Sequence, residues 1–111
     1  MKTLMTVIIL LLLLTSFGVK ANNIAMSACE YIAADDKKRL RSLLKVNRLK
    51  MKTLNKMVFC NELTLLGFAD SKNSVNVGKL IISKLPKKVV KKSIAAMQSP
   101  DLIAAANDRV N

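Results

Sequence analysis

The sequence predicts an all-α fold, a small helical domain built from two helix hairpins and a C-terminal helical segment. Two observations carry this. Apolar residues recur at i, i+3 and i+4 in successive stretches, as one face of an amphipathic helix requires. Cap-type residues, above all Ser27, Thr64 and Ser99, stand immediately before such stretches. Nothing in the chain argues for strands.

The first 21 residues read as a secretory signal peptide. Lys2 supplies the positive start, Val7 to Leu14 the apolar run, and Val19-Lys20-Ala21 a small-residue cleavage site before Asn22. An uncleaved anchor is the rival reading. The run of eight apolar residues, Val7 to Leu14, falls well short of the roughly 20 that a spanning helix needs. The expected organisation is therefore a leader at 1–21 and one domain at 22–111, periplasmic or secreted and not membrane-spanning after cleavage.

Within the domain, residues 22–26 read as a loose leader, and Ser27 with Glu30 forms a capping box that opens a short helix carrying Cys29, Ile32 and Ala33. Asp35-Asp36 stops it and caps the next element, where Leu40, Leu43 and Leu44 form an apolar stripe flanked by Lys37, Lys38, Arg41 and Lys45. Leu40, Leu44, Asn47, Met51, Leu54 and Val58 fall at spacings of four and three. This permits one long helix with a coiled-coil-like seam or, as preferred here, a break near Asn47, with Asn47 in a left-handed cap conformation.

Thr64 caps a short helix through Leu65, Leu66, Phe68 and Ala69. A polar turn at Ser71–Ser74 precedes Val77, Leu80, Ile81 and Leu85 at i, i+3, i+4 and i+8. Placing Leu40, Leu43 and Leu44 on Val77, Leu80 and Ile81 gives a repeat offset of 37 residues. Pro86 then opens a helix over Lys87–Gln98 with Val90, Ile94 and Met97 inward, and Ser99-Pro100-Asp101 opens a last one through Ala106. Leu40, Leu44, Leu66, Ala69, Leu80 and Ile81 are the expected core.

Cys29 and Cys60 both lie in the exported part, and two cysteines in a small exported domain predict one disulfide. Two cysteines and no histidine cannot fill a tetrahedral zinc site. Met26-Ser-Ala-Cys29 also has the look of a lipoprotein processing site. Its distance from the apolar run argues against that.

The second hairpin resembles an ankyrin repeat. Thr64, Leu66 and Ala69 match the Thr-Pro-Leu-His-x-Ala signature, and Val77-Gly78-Lys79-Leu80-Ile81-Ile82 is similar to the outer-helix pattern. Leu65, Gly67 and Asn73 depart from the signature's proline, histidine and turn glycine. Over residues 27–92 the chain resembles a proteobacterial group of small exported proteins, the domain-of-unknown-function family 3718. The matching segments are Cys29-Glu-Tyr31, Asp35–Arg41, Arg48-Leu-Lys50, Cys60-Asn61, Leu65-Leu66-x-Phe68-Ala69 and Lys84-Leu-Pro-Lys-Lys88. The resemblance implies an exported two-cysteine domain with no established activity. It also implies a glycine after the Cys60-Asn61 pair, where this chain has Glu62.

The charge narrows the function classes. Taking Lys2 and Lys20 from the 19 basic residues leaves 17 against 7 acidic ones, a net +10 for the expected mature domain. That favours anionic partners. Tyr31, Phe59 and Phe68 are its only aromatic residues, too few for a base-stacking surface, so nucleic acid is not expected. Without histidine, a glycine-rich phosphate loop or a ligand cluster, no enzyme, cofactor or metal is expected. The sequence points to an exported non-catalytic protein-binding or structural module. The alternative is a cationic binder of acidic lipid or polysaccharide in the envelope. Its basic residues form one patch of Lys37, Lys38, Arg39, Arg41, Lys45, Arg48, Lys50, Lys52 and Lys56 and another of Lys84, Lys87, Lys88, Lys91 and Lys92, and the candidates singled out from them are Lys37, Lys38, Arg41, Lys45, Lys87, Lys88, Lys91 and Lys92. The same charge runs also fit a solvated helix face.

Overall fold

The computed structural model describes residues 23–111, and the expected leader at 1–21 lies outside them. Among the described residues the fold is all-α, with no strand beyond an isolated Cys60–Leu63 bridge. Helix α1 covers 23–33, followed by α2 (Lys37–Val46), α3 (Met51–Met57), α4 (Leu65–Ser71), α5 (Val75–Lys84), α6 (Lys87–Ser93), a 3-10 turn at Ile94–Ala96, and α7 (Pro100–Val110).

Helix α1 starts earlier than its capping signal. Residues 23–26 are helical and Ser27 sits inside the helix, which corrects the expected loose leader and capping box. Ile24, Ala28 and Ile32 recur every four residues. Ala28 and Ile32 are fully buried and Ile24 packs on the same core, so the apolar stripe runs through Ser27 and outweighs its local cap preference. At the far end, Asp36 does cap α2, its carboxylate accepting from the Arg39 N–H at 3.0 Å.

The break after α2 is real, but Arg48 takes the left-handed conformation expected of Asn47, with φ 52°. Asn47 instead donates its side-chain N–H to the Leu43 carbonyl at 2.8 Å. The Arg48 N–H then reaches Lys45 O (3.2 Å) and the Leu49 N–H reaches Leu44 O (2.8 Å), the paired bonds of a Schellman turn. The same pair closes α1, through Asp35 to Ile32 and Asp36 to Tyr31. It also closes α4, through Asn73 to Asp70 and Ser74 to Ala69.

These last two turns fix the internal repeat. Asp35 and Asn73 have φ of 54° and 52°, and the helix starts that follow, Asp36 and Ser74, have ψ of 80° and 81°. The structural offset between these pairs is therefore 38 residues, not 37. Apolar spacing alone could not choose, because α5 buries both Ile81 and Ile82 and so offers two adjacent registers to the Leu40–Leu44 stripe.

The turns also bind the hairpins together. The Asp35 carboxylate accepts the Val77 N–H at 2.8 Å and the Asn76 amide at 2.9 Å, while the buried Ser74 hydroxyl donates to Ile32 O at 2.6 Å. One layer on, Asp70 accepts the Ser99 N–H at 2.8 Å and Asn73 accepts from the Ser99 hydroxyl at 2.9 Å. Ser99 thus precedes α7 as expected, but its side chain makes no cap hydrogen bond to that helix and binds the preceding turn instead. Arg109 closes the other end of α5, donating to Leu85 O at 3.2 Å, where α5 leaves carbonyls without helical partners. Helix α6 is shorter than expected, since the chain tightens into the 3-10 turn after Ser93.

Of the expected core, Leu40, Leu66, Ala69, Leu80 and Ile81 are buried, and Leu44 is only half-buried. Helix α5 packs against α2, α3, α4 and α7 and is the axis of the domain. At Gly78 the α7 helix comes so close that a Cβ would lie 2.5 Å from Leu102 Cδ2. Cys29 and Cys60 are joined as a disulfide with Cα atoms 5.7 Å apart, as expected. Beside it, Asn61 and Glu62 both have positive φ, 52° and 66°, in a tight two-residue turn of the primed type. The turn forms despite the missing glycine.

Candidate functional site

Three elements converge on a cationic groove. Helix α2 presents Arg41, Leu44 and Lys45, which share a face at i, i+3 and i+4. The Schellman turn brings Leu49 back over Leu44, the apolar contact that usually accompanies this motif, and Lys50 follows it. Met51 opens α3, and α5 contributes Leu80 and Lys84, one helical turn apart. These residues enclose about 480 Å³.

The groove has two chemistries. Its floor is apolar: Leu44 and Leu49 are partly buried against the core, and Met51 and Leu80 are buried. Its rim is Arg41, Lys45, Lys50 and Lys84, and no carboxylate lines it. The ion pair that forms among the described residues lies elsewhere, between Arg39 and Asp36 at 3.3 Å.

The structure divides the eight basic residues singled out in the sequence. Arg41 and Lys45 meet in the groove. Lys37 and Lys38 are exposed at the start of α2 and do not line it. Lys87, Lys88, Lys91 and Lys92 are exposed on α6, which packs chiefly on α7, and they form no part of the groove. Lys50 and Lys84 come from the same two basic runs, and the Leu44–Leu49 floor is what the sequence did not assign to the site. Leu49 carried a faint signal as an apolar residue just beyond a helix end.

A second depression, of about 320 Å³, lies over the disulfide between α1 and the Phe59–Asn61 segment, with Phe68 at its base. Met26 and Phe59, 62% and 60% exposed, are two large apolar side chains that line this one depression. Among the described residues, no group of three histidine, cysteine, aspartate or glutamate side chains is placed to hold a metal ion. No helix among them is long and apolar enough to cross a membrane.

Residues 28–96 match the family described as "Protein of unknown function (DUF3718)". The chain belongs to the DUF3718 family. All eight groove residues and both cysteines fall inside the DUF3718 match, whereas α7 lies beyond it. Neither the curated proteins nor the solved structures include a significant match to the chain. The ankyrin resemblance accordingly rests on its partial motif and the helix pairs alone.

Proposed function

We propose that this DUF3718 protein is a non-catalytic binding module of the bacterial envelope that holds anionic ligands through the groove between α2 and α5. The observation that carries the reading is the gathering of Arg41, Lys45, Lys50 and Lys84 from three elements around one concavity without a lining carboxylate. Four like charges so placed repel one another, and an anion relieves that repulsion. A disulfide is compatible with the oxidising compartment that export implies.

The test compares two variants, each replacing four cations by glutamine: Arg41, Lys45, Lys50 and Lys84 in one, and Lys87, Lys88, Lys91 and Lys92 in the other. Binding to anionic vesicles and to envelope polysaccharide is measured across salt. The groove variant should lose binding and the α6 variant should keep most of it. Equal losses would reduce the interaction to net charge, and unchanged binding by the groove variant would end the reading.

The exposed Met26 and Phe59 favour a second reading, a protein-binding module that docks an apolar partner surface over the disulfide. Such binding should survive high salt and fall in a Phe59→Ser variant, the reverse of the groove's behaviour.

A further inference from the structure

We infer that the groove takes a single-chain phosphate amphiphile, its headgroup among Arg41, Lys45, Lys50 and Lys84 and the first part of its alkyl chain on Leu44 and Leu49. This rests on the anion-binding reading and goes further by naming the ligand class. A binder of bare polyanions needs only cations on a solvated face, which α6 already provides. Its lysines are exposed on a helix whose Val90 is fully buried and whose Val89 packs against the core.

The α2–α5 groove is built differently. Leu44 and Leu49 are brought together by the Schellman turn and packed partly buried on the core, and the surface that they keep exposed lies in the groove that the cations rim. Covering the apolar surface that these two leucines still expose is favourable, and lysine stems cover such surface only in part. The enclosed volume of about 480 Å³ lies within the range of small-molecule sites, roughly 300–1,000 Å³. An occupant must be anionic at one end and apolar at the other. Among anions, phosphate has the charge and the acceptor oxygens to engage several cations at once, bidentately in the case of Arg41.

A concavity of about 480 Å³ has room for one headgroup and the first part of its chain, so the ligand is a single molecule taken from water, and the vesicle arm below tests a bilayer surface instead. Burial of a chain on the floor gives a graded signature. Each fully buried methylene tightens binding by at most about fourfold, and a half-open floor gives less.

The experiment titrates the oxidised protein with dodecyl phosphate below its micelle concentration, and with butyl phosphate, inorganic phosphate, dodecyl maltoside and anionic vesicles. Dodecyl phosphate should bind at least about tenfold more tightly than butyl phosphate, inorganic phosphate or dodecyl maltoside. The Leu44, Leu49 and Leu80 methyl resonances should shift with dodecyl phosphate and not with inorganic phosphate. A double Arg41→Gln, Lys84→Gln variant, altered only at charged groove-rim side chains, should keep its helical spectrum and bind dodecyl phosphate about tenfold more weakly. Inorganic phosphate binding as tightly as dodecyl phosphate would overturn the amphiphile and leave the anion site. Vesicle binding without monomer binding would overturn it and leave a surface binder. Failure of every anion to bind would remove both readings.

Discussion

The Asp35 carboxylate caps a helix 42 residues away, accepting the Val77 N–H at 2.8 Å at the start of α5. Ser74, the residue that would ordinarily cap that helix, points the other way and donates its hydroxyl to Ile32 O at 2.6 Å. Both bonds donate from the second hairpin to the first, but one is made by a side chain of the first hairpin and the other by a side chain of the second, so each hairpin completes the other's helix end. Removing the Asp35 side chain exposes a helix terminus and places alanine at φ 54°, so Asp35→Ala should cost about 1–2 kcal/mol in urea unfolding. Asp35→Asn keeps an acceptor and tolerates that φ, and should cost less. Ser74→Ala removes one of the two donors to Ile32 O, which keeps the Asp35 N–H at 3.1 Å, and should cost about 0.5–1.5 kcal/mol. The double variant should cost less than the sum, because the lock is shared.

Glu62 holds φ 66° where the turn after Cys60 favours glycine. An L-residue in that region costs about 1–2 kcal/mol, partly offset by the greater chain entropy of glycine when unfolded. Glu62→Gly should therefore raise stability by about 0.5–1 kcal/mol in equilibrium denaturation. A fall would mean that the Glu62 side chain contributes something beyond its backbone.

The disulfide closes a sequence separation of 31 residues and fastens α1 to the segment after α3. In the chain-entropy account it should contribute about 3–4 kcal/mol. A Cys29→Ser, Cys60→Ser variant should shift its urea midpoint accordingly, and thiol titration of the unreduced protein should find no free sulfhydryl.

Helix propensity alone would make Gly78→Ala stabilising by about 1 kcal/mol. The fully buried Leu102, whose Cδ2 and Cδ1 would sit 2.5 and 2.7 Å from the new Cβ, reverses the sign. We expect a net loss of up to about 2 kcal/mol, since overpacking costs typically 1–3. In a Leu102→Ala background the same change should become favourable.

The sequence by itself determined the helical class, the pairing of Cys29 with Cys60, the cap at Thr64 and the break after α2. Each follows from local spacing or from a count: a stripe of leucines, a hydroxyl before a helix, a left-handed turn near an asparagine, two cysteines in one small domain. The missed helix start ahead of Ser27 has the opposite origin. A locally good cap lost to burial of Ala28 and Ile32, which depends on a core assembled from distant segments.

Tertiary structure alone decided the repeat register, the partners of Asp35 and Ser74, and the groove. Apolar periodicity in α5 admitted offsets of 37 and 38, and only hydrogen bonds between turns far apart in the chain chose the second. The charge runs showed that cations were abundant, without showing that Lys84 from one run would stand with Arg41 and Lys45 from another around Leu44 and Leu49. Periodicity assigns a residue to a face of its own helix. Which faces meet is set by packing between helices, and that information is spread over the whole chain.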